Sequence, residues 1–183
     1  MALRHRRLAA FVDAFLNPGS FSKPTYLMSF ANVMKPLIVL IGVFILALIV
    51  LRASAKQVDF QFAGRIAMAA MLVFTAMGHF AFTKGMAAMI PEFVLFKTSV
   101  VYLSGIFEIL LALGLLLPNY KTAVGWIVII FFILMLPANI KAATINLNYQ
   151  TGELNGPGLS YLWFRIPLQI LFIAWVYLSA IKN

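Results

Sequence analysis

Val100-Val101-Tyr102-Leu103-Ser104-Gly105-Ile106-Phe107-Glu108-Ile109-Leu110-Leu111-Ala112-Leu113-Gly114-Leu115-Leu116-Leu117 is an apolar run with a single carboxylate at its middle. About 20 helical residues, rising 1.5 Å each, cross a hydrocarbon core of about 30 Å. This run is therefore long enough to span a bilayer. A charged side chain at the centre of such a helix costs about 2.5–3.5 kcal/mol on insertion scales. Glu108 thus needs either a partner or a use.

Working outward, four more apolar runs accompany it. The five lie near Pro36–Leu51, Phe62–Phe82, Ser99–Leu117, Ala123–Ile140 and Leu159–Ala180. The chain is 63% hydrophobic and 10% charged, which places it outside the range of water-soluble domains. The expected fold class is all-α, a polytopic membrane helical bundle. Residues 1–34 read as a basic arm, 35–52 as a first transmembrane helix, and 60–183 as a four-helix membrane domain. The first helix is expected to extend backwards through Ala31–Met34. Ala53-Ser54-Ala55 imitates a signal-peptide cleavage site, but about 35 residues precede the apolar run, too many for an ordinary n-region, so the helix reads as retained. Arg4 to Leu16 reads either as an amphipathic surface helix or as a disordered basic tail, with Asn17-Pro18-Gly19-Ser20 as the break.

The net charge of +9 is scattered singly between apolar runs, with Arg4, Arg6 and Arg7 as the one cluster. That distribution fits anionic headgroups and not nucleic acid. Nine cations (Arg4, Arg6, Arg7, Lys23, Lys35, Lys84, Lys97, Lys141 and Arg165) share one face. Five (Arg52, Lys56, Arg65, Lys121 and Lys182) share the other. The excess puts the N-terminus in the cytoplasm and the C-terminus outside, in a membrane expected to be a bacterial inner membrane. The longest loops, Thr83–Thr98 and Lys141–Gly158, fall on the cytoplasmic face.

Cysteine is absent, which excludes disulfides, thiol redox chemistry and cysteinyl clusters. Only two histidines, His5 and His79, are present, which speaks against bis-histidine haem within one chain, and zinc lacks sufficient ligands as well. No metal site and no cofactor is evident; a quinone or a lipid is the compatible ligand class.

The polar residues within the spans converge on one half of the membrane. Glu108 lies about 14 Å deep at 1.5 Å per residue. Arg165 and Gln169 descend one turn apart on one face of the last helix, and Asn139, Lys141 and His79 lie near the same end of theirs. An unpaired carboxylate in hydrocarbon takes up a proton, whereas an adjacent guanidinium holds it ionised. A Glu108–Arg165 pair would either lock two helices or handle a ligand or proton. A protonated or water-exposed Glu108 is the third alternative. Ser104, Gly105 and Ala112 leave room for a packed helix or a flat ligand. His79, one turn from Thr75, reads as a packing residue or a proton carrier. Pro137 and Pro167 free the carbonyls of Ile133 and Trp163, either as simple kinks or as acceptors that Asn139 or Gln169 could serve. Trp126, Trp163 and Trp175 read as interface anchors.

Four stretches carry a family resemblance. They are Gly78-His79-Phe80, Val101 through Leu110, Leu136-Pro137-Ala138-Asn139-Ile140-Lys141-Ala142, and Trp163-Phe164-Arg165-Ile166-Pro167-Leu168-Gln169. In order and spacing the chain from about Phe60 onward resembles the DoxX-like family of small four-helix membrane proteins. The resemblance implies a DoxX-like four-helix core with polar positions at His79, Glu108, Asn139 and Arg165. Pro36–Leu51 and the basic arm are additions to that pattern. Members resemble subunits of a thiosulfate:quinone oxidoreductase, partners in membrane oxidative-stress complexes, and an animal chaperone for nicotinic receptor assembly. Fold analogy does not choose among these.

Three functions follow as expectations. The first is an accessory or assembly subunit, not catalytic on its own, whose partners are lipids and other membrane proteins or further copies of itself. The second is a quinone- or lipophile-binding subunit of a membrane oxidoreductase system, in which Arg165 and His79 hold a polar head and Glu108 relays a proton. The third is a small transporter or channel, for which the chain lacks the usual internal repeat. No catalytic residue is assigned.

Overall fold

The structure is a computed structural model that describes residues 23–54 and 59–182, with side chains from Met34 onward. The expectations for Arg4–Leu16 and the break after it lie outside the described residues. The chain divides into two units, Met1–Val33 and Met34–Asn183. In the first, the described part is helical backbone from Lys23.

The described residues are helical, without strands. Helix α1 (Lys23–Ser54) runs through Pro36. It starts earlier than its apolar run because the helical backbone continues into Lys23–Val33. Helix α2 (Phe60–Ala81) follows, its first turn capped by Asp59, whose Oδ1 accepts the Phe62 N–H at 2.8 Å. Then come α3 (Thr83–Met89), α4 (Lys97–Leu116), α5 (Lys121–Thr144) and α6 (Ser160–Val176). A π-turn over Tyr177–Ile181 ends α6. The segment 83–98, expected as a loop, thus opens with the short helix α3.

Five helical segments are long and apolar enough to cross a membrane. The chain therefore has the character of an integral membrane protein in contact with lipid. Four of those spans close a ring in which each touches its two neighbours: α2 with α4, α4 with α5, α5 with α6, and α6 with its π-turn back against α2. Sequential neighbours run antiparallel, as Thr75–Glu108 with His79–Ser104, Phe107–Phe131 with Gly114–Val124, and Phe132–Phe172 with Gly125–Ala180 require.

Helix α2 is the best buried, with half of its span window enclosed against 11% for α1. Its inner face explains why: Ala63, Gly64, Ala67, Ala69 and Ala76 let neighbouring backbones approach closely, with Met68, Met71 and Leu72 filling between them. Helix α1 presents Leu40 and Ala47 inward, and Phe44 meets Trp175 edge-on at 4.9 Å. Trp175 is therefore a packing residue, not the interface anchor expected, and its Nε1 donates to the Gly64 carbonyl at 3.0 Å.

Candidate functional site

The pairing of α2 with α4 is the most extensive in the molecule. Gly105 makes it so. A Cβ at that position would stand 2.9 Å from His79 Cβ and 3.2 Å from the Phe80 ring. The missing side chain brings the two helices together where both carry polar groups.

Four side chains meet at that seam. Thr75 Oγ1 lies 3.2 Å from Glu108 Oε1. It also lies 3.2 Å and 3.0 Å from its own helix's carbonyls at Met71 and Leu72. With a single hydrogen to give, the hydroxyl serves one of these acceptors at a time. His79 Nε2 faces Glu108 Oε2 at 3.5 Å. That is within ion-pair distance but not aligned as a hydrogen bond, so Oε2 is left without a hydrogen-bond partner. On the other side of the ring, His79 Nδ1 lies 2.8 Å from Ser104 Oγ and 3.2 Å from the Val101 carbonyl. Ser104 Oγ in turn reaches the same carbonyl at 2.8 Å.

Two proton arrangements fit this geometry. If Ser104 donates to Val101, Nδ1 carries hydrogen toward the carbonyl, and a neutral ring leaves Nε2 as a lone pair facing a protonated Glu108. If Ser104 donates to Nδ1, Nε2 carries the hydrogen and faces a carboxylate. The first arrangement holds one proton more than the second. Passing from one to the other adds or removes one proton at Glu108 while the neutral His79 ring changes tautomer. Glu108 is buried, and 13% of the His79 side chain is exposed.

The other expected site residues do not join this seam. Arg165 makes no ion pair with Glu108: the ion pairs among the described residues are His79–Glu108, Lys97–Glu92 and Lys141–Glu92. Its charge does act through space on both Glu108 and Tyr149, which places it near the seam without contact. Gln169 is buried and donates Nε2 to the Phe132 carbonyl of α5, leaving its Oε1 unpartnered. That acceptor stands one residue before the Ile133 carbonyl that Pro137 frees. Asn139 is buried and turns back on its own helix, donating to the Met135 carbonyl at 3.0 Å. Lys141 leaves the bundle interior for the α3–α4 connection, where Nζ donates to the Ile90 carbonyl at 2.7 Å and to Glu92 Oε1 at 2.6 Å. The single cluster expected is therefore several local arrangements, because Gln169, Asn139 and Lys141 each find a backbone carbonyl or loop carboxylate nearer than Glu108.

At that end of the bundle the loops fold onto each other. Gly85 of α3 lies directly under the Tyr149 backbone, where no side chain would fit. Phe82 and Tyr149 rings meet edge-on at 6.1 Å. Burial pushes the Tyr149 hydroxyl up from its ordinary range; neighbouring Tyr161 adds to this and Arg165 opposes it. Glu92, bridged first by Lys141 and then by Lys97, is held down at about 2.

The opposite end holds a second constellation, built on Arg65, Gln61 and Thr122. Arg65 is buried and donates Nη1 to the Ser179 carbonyl at 3.1 Å. Thr122 Oγ1 donates to the Ala180 carbonyl at 3.2 Å, and Gln61 Nε2 to Lys182 at 2.7 Å. Three side chains from two helices thus cap the carbonyls that the end of the last helix leaves open. The sequence marks Arg65 only as one of the flanking cations; its spacing of four from Gln61, which puts both on one helix face, is the signal that pairs them.

Among the described residues no group of three or more His, Cys, Asp or Glu side chains could hold a metal ion. Residues 68–180 match the family model of a domain of unknown function, DUF8561. No curated protein and no solved structure matches the chain.

Proposed function

The chain belongs to the DUF8561 family, and we propose that it is a membrane accessory or assembly subunit, not catalytic on its own. One observation carries this reading. Thr75 and His79 of α2 meet Glu108 of α4, and Ser104 and the Val101 carbonyl of α4 hold the other side of the His79 ring, so the seam fastens α2 to α4. A helix pair held this way is a rigid face for neighbouring membrane proteins or further copies of the chain. The closed ring of four antiparallel spans supports kinship with the DoxX-like proteins, and the lysine and arginine distribution supports an orientation with the N-terminus in the cytoplasm. The test is Glu108→Gln, compared with a lipid-facing Leu103→Ala in detergent. Glu108→Gln lowers the melting temperature and the yield of copurified partner more than Leu103→Ala does. Equal values for both variants would overturn the reading.

A second reading has its own observation. Two buried acceptors, Glu108 Oε2 and Gln169 Oε1, have no hydrogen-bond partner, and Arg165 stands near Glu108 outside any of the ion pairs named above. Such groups suit the head of a quinone and its quinol: Arg165 would donate to a quinone carbonyl, and the two acceptors would meet quinol hydroxyls, with Glu108 taking up or returning the quinol's proton. A short-tailed quinone then raises the melting temperature of the wild type and not of Arg165→Ala. No shift in either protein removes this reading and leaves the first intact.

A further inference from the structure

Residues 90–96 connect α3 to α4. Lys141 draws this connection down by its bonds to Ile90 and Glu92, and Lys97 holds the second Glu92 oxygen at 2.8 Å. Lys141 stands three residues inside the end of α5, about 4.5 Å at 1.5 Å per residue. The connection therefore lies level with the ends of the spans and does not stand off above them. Its outward side chains are Phe93, Leu95 and Phe96, exposed by 85%, 76% and 82%. Phe96 also takes a left-handed conformation, φ 54°, as the first residue bounding α4. A bulky residue adopts that conformation reluctantly, and glycine or asparagine would suit a purely aqueous turn better. On the last span, Trp163 is 86% exposed in the first turn of α6, where an indole marks the headgroup level.

We infer that Phe93, Leu95 and Phe96 form an interfacial wedge that enters the boundary between lipid headgroups and acyl chains. The partner is the lipid surface itself. Depth selects it: three apolar side chains at the level of the span ends gain by leaving water for the acyl boundary, which needs no further protein. The Glu92 bridge fixes the wedge's angle, since both its oxygens are held by lysines on separate helices. The lysines that flank it also suit an anionic leaflet.

The chain contains no cysteine, so a single one can be placed and labelled. Phe93→Cys and, separately, Leu95→Cys are labelled with an environment-sensitive nitrobenzoxadiazole dye and reconstituted into vesicles of phosphatidylcholine and phosphatidylglycerol. Glu153→Cys, exposed on the neighbouring loop, is the control. The expected result is blue-shifted emission at 93 and 95. Their ratio of quenching by nitroxide-labelled lipid to quenching by aqueous iodide should also lie several-fold above that at 153. Iodide quenching at 93 and 95 equal to that at 153 would place the connection in water and overturn the inference. Protection from both quenchers would mean burial against protein and would overturn it as well. Two labelled positions keep the test decisive if one variant fails to fold.

Discussion

Helix α2 carries two polar constellations, and they differ in what their side chains face. Near its end at Ala81, Thr75 and His79 face a titratable side chain, Glu108 of α4. Near its start, Gln61 and Arg65 face backbone carbonyls of the last helix's end. A carbonyl is a fixed acceptor that neither gains nor loses a proton, so the Arg65 end can only hold. The Glu108 seam can hold in two proton arrangements. Burial and hydrogen bonding alone therefore do not separate a structural polar residue from a reactive one; the nature of the partner does.

Gly105→Leu should break the comparison most severely. The added side chain collides with His79 and Phe80, opening the seam and separating α2 from α4 along the interface that the Glu108 constellation depends on, whereas the Arg65 constellation faces the last helix. Overpacking of this kind costs about 3 kcal/mol at the upper end of its usual range. Little folded protein is expected on size exclusion in mild detergent. A wild-type elution profile and melting temperature would show that the close approach is not required.

Arg65→Met should come next. It keeps much of the side chain's length but leaves the Ser179 carbonyl buried without its donor. Hydrogen bonds to charged groups contribute about 1.5–3 kcal/mol, so a loss of about 2 kcal/mol is expected. The loss should be the same at every pH where the protein folds, because a carbonyl partner does not titrate. A loss that changed between neutral and mildly acidic pH would assign Arg65 a titrating partner and erase the distinction between the two ends.

A double-mutant cycle sharpens the other side. Thr75→Val and Glu108→Gln, alone and together, measure the coupling across the seam. Interhelical hydrogen bonds in membranes average about 0.6 kcal/mol with a maximum of about 1.7, and the Thr75 hydroxyl has two competing acceptors on its own helix. The coupling should therefore fall at about 0.5 kcal/mol, read from melting of the four proteins in one detergent. A coupling above the maximum would make the seam a stronger fastening than hydrogen bonds between helices provide.

The spans were legible because apolar runs of bilayer length have one physical reading, and their ends shifted by only a few residues. Glu108 and His79 were legible singly, since a lone polar group in such a run stands out. Their pairing was not, because helical spacing fixes depth but not the rotation of one helix against another. Depth alone made Arg165 as good a partner as His79. The approach at Gly105 decided between them. Helix α3 escaped notice because seven residues, Thr83–Met89, are too few to establish an apolar period, and its position depends on Gly85 meeting the Tyr149 backbone. Arg65 escaped because its acceptors exist only where the π-turn ends the last helix.

The smallest effect lies outside both constellations, at Glu92, and it tests whether exposed charges behave differently from enclosed ones. Lys141 and Lys97 hold this carboxyl at about 2 against an ordinary value of 4.5. The folded state thus binds the Glu92 proton less readily than the unfolded chain does, and stability rises with pH through that interval. The bridge contributes fully above about pH 4.5, and its contribution disappears as pH falls toward 2. Glu92→Gln should leave a slightly lower melting temperature near neutrality and a shallower decline between about pH 5 and pH 2. Added salt should narrow the gap between the two proteins, because the bridge stands in water and is screened. The Arg65→Met loss should resist the same salt, since its hydrogen bond is enclosed. If salt reduced both losses alike, enclosure would not be what distinguishes the Arg65 end from the surface bridge.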